Sequence, residues 1–291
     1  MNQRELRFII VERIDVIPVN ANLQHASIWF RLTWAIAPLL AVAAGCGMFI
    51  HGLYRDTPYF AVQAVAQDFI SLTVVLPTVA VSAFLARRGS HRAELIWLGA
   101  LAYLVYSYVI DAFVVRFNSM FLVYVALLGC SLYGLIGGLA TASLVSVKAS
   151  FTERTPVRTV STFLAVLAVL FYALWLRETV PALLSGAVPP SVQQNGTATN
   201  AVHVLDMAWM LPAFLITAIT LWRKQAFGYI LAGAALSFVM LLALAVLSMV
   251  VFFIHAGFPV VVPQVLVFAV VFALSFGLLV SYLRALQPPP A

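Results

Sequence analysis

Charge is what this chain has least of. Only 9% of its 291 residues are Asp, Glu, Lys or Arg, against 64% hydrophobic, whereas a soluble domain carries about a quarter charged residues. That deficit excludes a solvated globular surface. Catalytic signatures are missing too: there is no nucleophile elbow, phosphate loop, dinucleotide fingerprint or metalloprotease helix. Inner connections are too short for an ATPase domain, and no cofactor is implied. The net charge of +6 is spread singly and in pairs between apolar runs, as in loops that orient helices, so nucleic acid is not an expected partner. The two cysteines, Cys46 and Cys130, fall inside apolar runs, where a thiol packs as a small hydrophobe. Charged residues from Arg4 to Asp15 interrupt any apolar stretch before Trp29, so a cleavable signal peptide is not expected.

What is there is apolar length. Runs of about 18 or more apolar residues recur along the chain, each sufficient to cross a bilayer as a helix. Continuous runs of that length exclude barrel strands. The expected fold is all-α: a polytopic membrane bundle of eight transmembrane helices, with the lipid bilayer as its obligate partner. The spans are expected near 32–53, 61–86, 94–115, 120–147, 159–176, 202–222, 227–254 and 262–283. Residues 1–28 form an N-terminal leader, 149–158 a linker, 177–200 a long polar loop and 285–291 a short tail. With both termini in the cytoplasm, only Arg55, Arg116 and Arg177 of the 16 basic residues fall outside. That split satisfies the positive-inside rule and suggests a bacterial inner membrane.

Spacings repeat. Arg87 and Arg223 are 136 residues apart, as are Lys148 and Arg284, and Asp68 and Asp206 are 138 apart. Arg55-Asp56-Thr57-Pro58 is echoed by Arg177-Glu178-Thr179-Val180-Pro181. Two parallel four-helix halves, 29–148 and 159–284, are expected, related by an axis along the membrane normal. Asp68 should then fall on Asp206. Gly134, Gly138, Ala142 and Ser146 form a small-residue stripe for close helix packing.

The chemistry is concentrated at one depth. Counting about 1.5 Å per residue from the inner ends sets Asp68, Asp111 and Asp206 about 26–28 Å out, near the outer edge of a hydrocarbon core ~30 Å thick. Gln67, Tyr106, Tyr108, Arg116, Asn118, Tyr124 and His203 lie around the same level. Asp68 and Asp206 start inward-running helices, whose dipole favours a negative charge; Asp111 ends one, where the dipole opposes it. Asp111 therefore needs a partner, and Arg116 and His203 are the candidates. His203 and Asp206, at i and i+3, share a face that suits a His–Asp proton relay, a metal site or a structural histidine–carboxylate hydrogen bond. An outer-facing pocket lined by Asp68, Asp111, His203, Asp206, Arg116, Gln67 and Tyr108 is expected to bind or transport a small solute, ion or proton. A membrane enzyme acting on lipid at the outer leaflet and a non-catalytic assembly partner are the alternatives.

Overall fold

A computed structural model describes residues 19–287 of the chain, and side chains from residue 28 onward. Its elements are helical throughout. Helix α1 (Val19–Phe49) leads to α2 (Pro58–Arg87), α3 (His91–Phe113), α4 (Phe121–Thr141) and a short α5 (Leu144–Ala149). Helices α6 (Val157–Ser185), α7 (Pro190–Asn195), α8 (Ala201–Trp222), α9 (Ala226–His255) and α10 (Val262–Arg284) follow. Eight of these helices are long and apolar enough to span a membrane. The protein is a multi-pass helical membrane protein. The leader and the end of the tail lie outside the described residues.

Three boundaries differ from the sequence expectation, each for a local reason. Helix α1 stops at Phe49, where Gly52 takes a left-handed φ of +79° and turns the chain. The fourth span ends at Thr141 because Ala142 is extended (φ −60°, ψ 131°), which ends the small-residue stripe as well: Ser146 lies on α5. Gly138 meets the Trp97 ring and Gly134 sits against Leu101, so the stripe's first half does bring α4 onto α3. The largest correction concerns the expected loop 177–200. Helix α6 runs through Arg177, Glu178 and Pro181 to Ser185, and Gly186 ends it in the left-handed cap conformation.

Helix α3 is the axis of the bundle. Within its membrane-length window 78% of residues are buried, against 17% for α10. It packs against α2, α4 and α9, while α9 packs against α8 and α10. Gly99 permits the α3–α9 contact: a Cβ there would run into the Ala234 carbonyl and the Ser237 side chain. At one end of the bundle the linker clasps the end of α10, with Thr152 N–H donating to Ala285 O at 3.1 Å and Gln287 N–H to Ser150 O at 2.8 Å. The Arg92 guanidinium reaches the Leu286 carbonyl from the first turn of α3.

Helices α2 and α8 carry the same fault. Each contains one π-helical turn, Ser71–Val75 and Asp206–Met210, followed directly by Leu-Pro (Leu76-Pro77, Leu211-Pro212). The π turn sends Leu211 N–H to Asp206 O, and Pro212 has no N–H to offer Met207. Tyr172 of α6 supplies the missing donor, its hydroxyl 2.8 Å from Met207 O. Substituting Gly99 by Ala should separate α3 from α9 and cost about 1–3 kcal/mol through overpacking. Thermal unfolding of the purified protein should show a lowered midpoint; a wild-type midpoint would mean that this contact yields without strain.

Candidate functional site

Burial and charge meet in two separate clusters. The first lies between the outer ends, on the positive-inside reading, of α1, α2, α3 and α4. Asp68, in α2, is buried and accepts a 2.5 Å hydrogen bond from the Tyr54 hydroxyl. Tyr54 comes from the 50–57 connection, so the turn at Gly52 aims it back over the helix ends. Gly47 leaves the necessary space: a Cβ there would collide with the Asp68 carboxylate and approach the Tyr54 hydroxyl. Burial, and then the charges of Asp68 and Asp111, push the Tyr54 phenol far above its ordinary 10. Both carboxylates therefore act on one hydroxyl.

Asp111 is 6% exposed, and among the described residues no hydrogen bond or ion pair reaches its carboxylate. Buried polar atoms around the cluster are orphaned as well. The Tyr103 and Tyr124 hydroxyls and Asn118 Nδ2 have no partner, while Asn118 Oδ1 accepts from Met120 N–H at 2.9 Å. The Tyr108 and Tyr124 rings lie 6.0 Å apart and close the side of the site.

The second cluster joins α6 and α8. Asp206 accepts from Tyr106 Oη at 3.0 Å and from Trp175 Nε1 at 2.8 Å. The Trp175 ring lies tilted against His203 with centroids 4.4 Å apart. His203 is capped through its N–H by Asn200 Oδ1 at 3.2 Å, and its Nε2 lies 3.7 Å from Glu178 Oε2. Its Nδ1 is buried without a partner. Glu178 is held in turn by Ser191 N–H at 2.8 Å. A surface depression lined by Leu174, Trp175, Arg177 and Glu178 opens onto this cluster.

The expected residues thus divide. Asp68, Asp111 and Tyr108 belong to the first cluster and His203 and Asp206 to the second, with Tyr106 of α3 reaching the latter. Neither expected partner serves Asp111. Arg116 turns outward, its N–H on the Asp56 carboxylate at 3.1 Å and its guanidinium on Arg55 O at 3.2 Å, because the chain doubles back after α3. His203 faces Glu178 instead. The His203–Asp206 relay is replaced by a shared Trp175, and half-buried Gln67 has no assigned contact. Tyr54, Trp175 and Glu178 were missed. A glutamate one turn from a tryptophan near a span end was the only signal for the last two. Among the described residues no three His, Cys, Asp or Glu side chains converge in a metal-holding group.

No protein-family model, curated protein or solved structure matches the chain. The division into clusters predicts the energetic couplings. Asp68→Asn and Asp111→Asn should be non-additive by about 0.5–3 kcal/mol, whereas Asp111→Asn and Asp206→Asn should add within about 0.5 kcal/mol. Unfolding free energies of the singles and doubles measure both; the opposite pattern would unite Asp111 with Asp206.

Proposed function

We propose that this membrane protein binds, and carries, a small solute, ion or proton at the Asp68–Asp111 cluster near the outer end of the bundle. One observation carries the reading: two neighbouring carboxylates are buried with no Lys, Arg or His beside them. Burying an unpaired charge is costly, and two like charges together cannot both persist unneutralised. A ligand that brings positive charge removes the cost. Intramembrane carboxylates of this kind line ion and substrate pathways.

The proposal includes an orientation, both termini cytoplasmic and the α6–α8 connection outside, supported by the 13-to-3 division of basic residues. It also includes parallel duplicated halves. In their support, α3 packs between α2 and α4 as α9 packs between α8 and α10, and each half has a π turn before Leu-Pro. Counting back from the two prolines sets Ser71 against Asp206 and Asp68 against His203. The duplicated positions then hold different residues, and only the first half keeps a buried acid pair.

Two experiments follow. Cysteines placed at Ala198 and Glu153 in a variant lacking Cys46 and Cys130 should separate the faces: an impermeant thiol reagent added outside intact cells labels position 198 and spares 153. Equal or reversed labelling ends this orientation. For binding, thermal unfolding is followed from pH 5 to 9 with Na⁺, K⁺, Mg²⁺, Ca²⁺, small amines and amino acids. A ligand at 100 times its Kd adds about 2.7 kcal/mol. Some member of that panel, H⁺ included, should shift the wild type and leave Asp68→Asn and Asp111→Asn unmoved. Shifts that survive in both variants would remove the site from the function.

A further inference from the structure

Resting on that reading, we infer that the ligand at the acid pair is a proton, and that the pair heads a polar column reaching from the outer end of α3 to its middle. Asp111, Ser107 and Tyr103 are spaced by four residues and line one face of the most buried helix. All three are buried, at 6%, 1% and 0% exposure. Across from them α2 presents Asp68, then Ser71, where its π turn begins; Ser71 and Ser107 are the polar neighbours of the Tyr103 hydroxyl. Below Tyr103 the same face of α3 continues as Gly99, packed on the Ala234 backbone, and Leu95, packed on Gly233. The column therefore stops near mid-membrane.

Two surface depressions lie beside the clusters, one lined by Arg55, Phe117, Asn118, Ser119, Phe121 and Leu122 and one by the residues next to Trp175; neither is lined by Asp68 or Asp111. The first abuts Asn118, whose Nδ2 is an orphaned donor. A proton needs no volume. It leaves a hydronium at this mouth, releasing water, and adds to a carboxylate oxygen of Asp111, with no other bond made or broken. The groups facing the pair are Tyr54 from the α1–α2 connection, Tyr103 and Tyr108 from α3, and Tyr124 from α4. None carries positive charge. The Tyr54 hydroxyl holds Asp68 as an acceptor, so Asp111 is the member left to take the proton.

Infrared spectra of the full-length protein in liposomes at neutral pH read this directly. The wild type should show a protonated carboxylic-acid carbonyl band that shifts in D₂O. Asp111→Asn should abolish it, while Asp206→Asn should leave it intact. Tyr103→Phe, which keeps the packing, should preserve the band and eliminate exchange at the column's inner end, seen as loss of its own O–H/O–D shift. A wild-type spectrum without the band overturns the proton, as does a band lost only in Asp206→Asn. If Na⁺, K⁺ or Ca²⁺ then stabilises the wild type but not Asp111→Asn, the binding reading stands with a metal cation as ligand. If no ion does so, both readings fall together.

Discussion

The architecture answers to one constraint: carboxylates held inside an apolar bundle that offers them no cation. Among the described residues, ion pairs involve only His91 with Glu94 and His203 with Glu178. Each buried aspartate is therefore handled by neutral groups or not at all. Asp206 has two donors, a phenol and an indole, whose dipoles spread its charge. Asp68 has one phenol; α2 begins ten residues earlier at Pro58, so the helix dipole expected to favour its charge is out of reach. Asp111 has no such donor. The close approach at Gly47 and the turn at Gly52 follow from the need to bring Tyr54 over Asp68.

The same constraint accounts for the broken helices. A helix polar near one end and apolar further along must turn its polar face toward the bundle at one level and its packing face at the next. One added residue in a turn rotates everything beyond it by about 100°, and π turns are a recurrent device for this at functional positions. In α8 the rotation sets Asp206 toward Tyr106 and Trp175 while Phe214, Thr217, Ala218 and Leu221 still bury inward. The adjacent proline adds an orphaned carbonyl, which Tyr172 satisfies at Met207.

Counting from the basic ends singled out Asp68, Asp111 and Asp206, and the structure buries all three; which neighbours they face was not legible in the sequence. Their azimuths depend on how α3 is flanked. Tyr106 and Asp111 sit on the same helix yet face different neighbours, one toward α8 and one toward the α2 side. Arg116 looked like the natural counter-charge to Asp111 because only five residues separate them; the reversal of the chain beyond α3 sends it to Asp56. Glu178 looked like loop because 177–200 is a long polar stretch, yet the helix continues through Pro181, whose ring removes one donor. The real stop is Gly186, five residues later.

The two clusters are not equivalent, and the difference bears on which one works. Around His203 and Asp206 nearly every polar atom has a partner, and the one ion pair contains its own base and acid. Such a set holds α6 and α8 together and has little left to offer a ligand. Around Asp68 and Asp111 the satisfied bonds are few and the orphans many: two hydroxyls, one amide and one whole carboxylate. Asp111 also stands at the C-terminal end of α3, where the partial charge of the helix is negative and adds to its own. Among the described residues no cationic side chain pairs with that carboxylate. On the proposed reading a proton supplies what the chain withholds, entering beside Asn118 and passing to Asp111 at the head of the polar face of α3.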